Sequence, residues 1–263
     1  MEKEITGGGK DPERHIVSDK YLSLSGNAGR VLQALSYWPT YGLLRFFVRL
    51  KVEGQENIKE LAHTEVIFAS NHTSFIDGPI AAAVMPRFYN KWWPQGFMPI
   101  RFTALEQFFY WFNPIPFPIG LFAAAYVRLN GSIPVQRARG DLERALHNVV
   151  RVLKDPSNKD KVWFFPEGGL SRDGHVHQGK RGIAHLYKKT GVPIVPVAIT
   201  GTYNIGVSGF FLRRRSCLVK IGKPMHFEER LFLEEIVDRV MREVARLAGK
   251  QYLDNVYESH EKK

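Results

Sequence analysis

Val66-Ile67-Phe68-Ala69-Ser70 leads straight into Asn71-His72-Thr73-Ser74-Phe75-Ile76-Asp77. The first five residues are a short apolar run ending in turn chemistry, which is how a buried strand feeds a loop. The same pattern recurs outward from it. Ser132–Gln136 reads as a second strand, whose Pro134 suits a sheet edge or a strand start. Lys161–Phe165, Ile194–Ile199 and Ser216–Ile221 read as three more, ending at Pro-Glu-Gly-Gly, Gly-Thr and similar turns. Helical periodicity fills Asp141–Lys154, Arg181–Thr190 and Glu228–Ala248, where the last carries apolar residues at Leu231, Ile236, Val240, Val244 and Leu247. Strands alternating with helices predict an α/β fold, one domain with a mixed, mostly parallel sheet flanked by helices.

The flanks differ from this core. Residues 1–27 are polar with a Gly7-Gly8-Gly9 run and read as a flexible leader, with no export signal or myristoylation pattern. Residues 28–51 mix Tyr37, Trp38, Tyr41, Phe46 and Phe47 with Arg30, Arg45, Arg49 and Lys51. The uncharged stretch Val31–Leu44 is too short to span a bilayer. The segment suits either an amphipathic helix lying in the headgroup zone or a cap helix over the core, broken near Pro39. Residues 52–257 form the α/β domain and 258–263 a polar tail.

Gln107–Val127 has no charged residue, but Pro114, Pro116, Pro118 and Gly120 interrupt it. Hydrocarbon does not tolerate the backbone groups such prolines leave unpaired. A loop dipping into a membrane interface, or lining an acyl-chain groove, fits the composition; a buried connector is the alternative. With Trp92, Trp93, Phe97, Phe102 and Leu105 just upstream, the aromatic density predicts a membrane-facing apolar patch.

The 263 residues suffice for a self-standing core. Lys plus Arg outnumber Asp plus Glu by 37 to 26, a net charge of +11, which calls for an anionic partner: nucleic acid, acidic lipid or a phosphorylated small molecule. No nucleic-acid motif is present, and the aromatics cluster in uncharged runs, so nucleic acid is excluded. The lone Cys217 excludes an internal disulfide and a Cys-rich metal site, and makes a cytosolic setting the default. His175 and His177 form a His-x-His without a third ligand nearby, so they read as a polar loop and no metal is expected.

The chemistry lies at the strand ends. His72 sits at a strand's C-terminal edge, where open α/β sheets place ligands. Asp77, one turn on, is placed to accept from the imidazole and fix its tautomer, leaving the other nitrogen as a general base. Phe165-Pro166-Glu167-Gly168-Gly169 follows another strand, and its glycines let a ligand approach the backbone. Arg172 offers a phosphate fork. Arg137 ends the second strand, and Lys180 precedes a helix; each alone is usually a solvated charge.

In order, these blocks resemble the glycerolipid acyltransferase family, which includes lysophosphatidate and glycerol-3-phosphate acyltransferases. Asn71-His72 through Asp77 looks like the family's NHxxxxD box, and Gly131–Arg137 like its second block. Phe165–Gly168 looks like its FPEG block, and Val192-Pro193-Ile194-Val195-Pro196-Val197 like its fourth. The resemblance runs from about Val52 to Tyr257. It implies an acyl transfer from a CoA or acyl carrier protein thioester to a glycerophospholipid precursor, 1-acyl-glycerol-3-phosphate foremost, with no cofactor. His72 would be the base oriented by Asp77, and Arg137, Glu167, Gly168, Gly169, Arg172 and Lys180 would bind substrate. Leu170 stands where the family carries an arginine, so phosphate contact passes to Arg172 or Lys180. The His72 box leans towards lysophospholipids, including lysophosphatidylethanolamine, whereas Gly168-Gly169 with Ser171-Arg172 leans towards glycerol-3-phosphate. The implied location is the cytoplasmic side of a membrane, peripheral or monotopic. Rival readings are a non-catalytic lipid-binding or membrane-tethering domain and a hydrolase in which water replaces the alcohol.

Overall fold

The computed structural model describes residues 19–74, 76–87, 96–110, 117, 119–137, 140–157, 159–205 and 216–253. Its centre is a seven-stranded sheet in the order β1-β8-β7-β2-β5-β3-β4. The strands are β1 (Lys51–Glu53), β2 (Val66–Ser70), β3 (Ile100–Leu105), β4 (Ile133–Val135), β5 (Lys161–Phe164), β7 (Ile194–Thr200) and β8 (Leu218–Ile221). All neighbours are parallel except β7 and β8. β6 (Val176–His177) and β9 (Tyr252–Leu253) form a separate parallel pair. All five expected strands are present within a residue or two, and β4 lies at the sheet edge, as Pro134 allows.

β2 is buried along its whole length, the signature of a strand covered on both faces. Its alternate residues serve two cores. Val66 and Phe68 pack with α1 (Asp19–Phe47) and α2 (Asp77–Ala83), while Ile67 and Ala69 pack with α4 (Leu142–Lys154), α5 (Gly182–Thr190) and α6 (Leu233–Ala248). α4 starts where Asp141 accepts a hydrogen bond from the Arg144 amide. α3 is Ile119–Leu129.

Four expectations need correction. The flexible leader 1–27 does not extend past residue 18 as a leader: α1 begins at Asp19, with Leu22 and Ser25 buried, and residues 1–18 lie outside the described set. The helix also runs unbroken through Pro39. One of its faces caps the core, as one reading of the 28–51 segment has it. Tyr37, Leu44 and Val48 join the core, while Leu24, Val31, Leu35, Trp38 and Phe46 stand exposed on the opposite side. Part of the apolar 107–127 segment is helical, since Gln107–Phe109 belongs to a 3-10 turn and α3 takes Ile119 onwards. Phe117 is 84% exposed, so that point is no buried connector; residues 111–116 and 118 lie outside the described set. Phe97 is fully buried and belongs to the core, not to a surface patch, while Trp92 and Trp93 lie outside the described residues. The polar tail 258–263 lies outside them as well.

Candidate active site

β2, β5 and β7 are parallel neighbours, so the segments leaving their C-terminal ends meet at one edge. α2, following β2, packs on one face of the sheet, and α5, following β5, on the other. Diverging connections of this kind open a crevice between adjacent strands. His72 leaves β2 there, Phe165 to Gly169 leave β5, and Gly201-Thr202 leave β7.

Asn71 fixes the β2 exit. Its side-chain amide donates to the Ile199 carbonyl at 2.8 Å and accepts from the Ile199 N–H at 2.8 Å. The chain then folds back so that Asp77 Oδ2 lies 3.0 Å from His72 Nδ1. The same oxygen accepts from the backbone N–H groups of Thr73 (2.8 Å) and Ser74 (2.9 Å). Asp77 is fully buried, whereas the His72 side chain keeps 21% of its surface exposed. A carboxylate accepts only, so Nδ1 carries the proton and Nε2 presents its lone pair. No hydrogen bond from the described residues engages Nε2. The Phe165 ring stacks on the imidazole at a centroid distance of 3.9 Å, which fixes the ring plane, and the Ser171 N–H donates to the His72 carbonyl at 2.7 Å.

Glu167 is 98% withdrawn from solvent beside this pair, at 2% exposure. Burial pushes its carboxyl up to about 8, helped by Asp173 and Asp77. The backbone N–H groups of His72 and His177 approach and pull the other way, yet neither carboxyl oxygen closes a hydrogen bond among the described residues. Gly168 has φ +73°, and a Cβ there would lie 3.1 Å from Lys180 Cε and 3.2 Å from Lys180 Nζ. Glycine therefore lets the Lys180 ammonium lie directly over the Pro-Glu-Gly-Gly turn, held by the Lys180 N–H to Pro166 carbonyl bond of 2.7 Å. The loop beyond is braced by Asp173, which accepts from the His175 N–H (2.9 Å) and Ser171 Oγ (3.1 Å) and pairs with His177 Nε2 (2.8 Å). Burial raises the Asp173 carboxyl, but these donors outweigh it and hold it at about 2.

The structure thus brings together His72, Asp77, Glu167, Gly168, Gly169 and Lys180. Arg172 is exposed on the same loop, its carbonyl bound by the Tyr203 hydroxyl at 2.5 Å. Arg137 lies elsewhere along the sheet. It follows β4, three strand spacings or about 14 Å across the sheet from β2, and is exposed. Among the described residues no group of three His, Cys, Asp or Glu side chains could hold a metal ion. Sequence reasoning missed Phe165 as the stacking partner and missed Thr202, whose Oγ1 donates to Asp77 Oδ1 at 3.1 Å. The signal for Thr202 was its place after a strand that ends at the same edge.

The profile of the Acyltransferase family matches residues 49–200, more than half of the chain, and spans both His72 and Glu167. The chain belongs to the Acyltransferase family. The chloroplastic 1-acyl-sn-glycerol-3-phosphate acyltransferase of Arabidopsis thaliana is 28% identical over 193 residues, covering 72% of this chain and 47% of that protein. The Saccharomyces cerevisiae 1-acyl-sn-glycerol-3-phosphate acyltransferase is 28% identical over 210 residues, covering 74% and 60%. The chain thus spans between about half and three-fifths of the length of these relatives. Among solved structures, the 1-acyl-sn-glycerophosphate acyltransferase of Thermotoga maritima matches with a TM-score of 0.54 and 25% identity, covering 88% of this chain and 80% of that one.

Proposed function

We propose that the protein transfers a fatty acyl group from a thioester of CoA or acyl carrier protein to the free hydroxyl of 1-acyl-glycerol-3-phosphate, giving phosphatidic acid. The observation that carries this reading is the His72 Nδ1 to Asp77 Oδ2 contact of 3.0 Å, with Nε2 unengaged beside the buried Glu167. Nε2 takes the proton of the acceptor hydroxyl as its oxygen attacks the thioester carbonyl. Asp77 stabilises the imidazolium formed. The tetrahedral intermediate collapses, the carbon–sulfur bond breaks, and the proton on His72 passes to the departing thiolate. Base help of this kind is worth about 10²–10⁴-fold. Glu167, mostly protonated at neutral pH, stays buried beside the pair, and Lys180 over the Gly168 turn takes the acceptor phosphate, with Arg172 on the same loop.

The names of the relatives favour the lysophosphatidate acceptor over glycerol-3-phosphate or lysophosphatidylethanolamine. A lipid surface is the expected partner. Leu24, Val31, Leu35, Trp38 and Phe46 on α1, with Leu121 and Leu129 on α3, form exposed apolar surface. No described helix is long and apolar enough to cross a membrane. The test is an assay of purified protein with each acceptor against acyl-CoA and acyl carrier protein donors, products read by mass spectrometry. Phosphatidate formation is expected; fatty acid release without a lipid product, or no product from any pair, contradicts the proposal.

A further inference from the structure

We infer that Thr202 is a positioning residue for the His72–Asp77 pair, because its buried hydroxyl is the donor that holds the second oxygen of the Asp77 carboxylate. This rests on the acyl-transfer reading above.

The two oxygens of Asp77 are served from different parts of the chain. Oδ2 takes His72 Nδ1–H and the Thr73 and Ser74 amides, all within the same short loop. Oδ1 takes Thr202 Oγ1 at 3.1 Å, from the far side of the sheet crevice. Thr202 Oγ1 also lies 2.7 Å from Thr73 Oγ1. An ionised carboxylate has no proton to give, so Thr202 donates to it, and Thr73 must therefore donate to Thr202. The hydroxyl chain is polarised in one direction, from Thr73 through Thr202 to Asp77, and each bond strengthens the next.

The backbone is built to deliver this hydroxyl. Gly201, immediately after β7, has φ +88°, and a Cβ there would lie 2.0 Å from the Ser216 carbonyl oxygen. Only glycine permits the turn that carries Thr202 under the His72 loop. The turn closes with the Ile205 N–H on the Thr202 carbonyl at 3.1 Å. Thr202 is fully buried, so it touches no substrate and acts only through Asp77. Without it, Asp77 Oδ1 would be buried with no hydrogen bond among the described residues, and the freedom left to Asp77 would pass to the imidazole it orients. The other titratable groups facing this pair are Glu167 from the β5 turn and the Cys217 thiol before β8, which burial and Asp77 push up to about 12.

The test compares Thr202→Val, which keeps the shape but loses the hydroxyl, with Thr202→Ser, which keeps the hydroxyl. Thr202→Val is expected to lower kcat about 10- to 100-fold, the span for removing one hydrogen bond to a charged group, with KM for both substrates within twofold. Thr202→Ser restores most of it. Nuclear magnetic resonance of histidine-labelled protein supplies a readout independent of turnover. A slowly exchanging His72 Nδ1–H is expected in the wild type and Thr202→Ser, and fast exchange in Thr202→Val. If the wild type transfers no acyl group, the functional reading fails while this resonance still tests Thr202. A Thr202→Val variant with unchanged kcat and unchanged exchange, or a Thr202→Ser variant as impaired as Thr202→Val, overturns the inference.

Discussion

An imidazole serves as a base only when something decides which nitrogen holds its proton, and at His72 that decision is made by Asp77 from within the same loop. Such a pair is legible in sequence because its geometry is local. Phe165 reaches His72, and Thr202 reaches Asp77, only through the pairing of β2 with β5 and β7, and strand order is not written in either segment. Glu167 was legible as a candidate beside His72, but its protonation was not, since that follows from burial. Its carboxyl sits at about 8 in the folded chain against the usual 4.5, so between those values the folded state holds a proton that the unfolded chain has lost. Stability contributed by that proton is therefore full below about pH 4.5 and falls as pH rises towards 8. Glu167→Gln, which mimics the protonated form, is expected to flatten the fall in melting temperature across this window. An identical pH profile for wild type and variant would refute the assignment.

α1 has one buried face and one exposed face. Its buried face is fixed by polar contacts as much as by packing. Gln33 donates to the Ile100 carbonyl and accepts from the Ile100 N–H, both at 2.8 Å, clasping β3. Arg101 on β3 donates to Asp160 Oδ2 (2.9 Å), to Ser25 Oγ on α1 (2.8 Å) and to the Gly131 carbonyl (2.8 Å). An arginine inside a strand, matched by an acid just before β5, explains why β3 was not recognised from its sequence: the pattern carries a charge where a buried strand should not. The amphipathic α4 and α6, by contrast, follow from periodicity alone. Removing one partner of a buried ion pair leaves the other uncompensated, so Asp160→Ala is expected to cost about 3–5 kcal/mol in chemical denaturation. A loss below about 1 kcal/mol would show that the clasp does not hold α1 to the sheet.

For the molecule as a whole, the sheet gathers the chemistry at one edge while α1 and α3 expose apolar rows. On α1 the exposed residues recur at the spacing of one helix face, and Arg87 stacks over Trp38 at 4.8 Å at its border. The net charge of +11 favours an anionic surface. Replacing both Val31 and Leu35 with glutamate is expected to reduce flotation with phosphatidylglycerol vesicles at least about tenfold, since each side chain gains on the order of 1.5 kcal/mol or more on burial, with circular dichroism unchanged. Undiminished flotation would remove that stripe from the lipid-facing surface.

The most direct measurement is phosphatidate production from lysophosphatidate and acyl-CoA by His72→Ala beside the wild type, with circular dichroism of both. The account predicts a variant that folds as the wild type does and forms no product above background; retained turnover in a folded His72→Ala protein would contradict it.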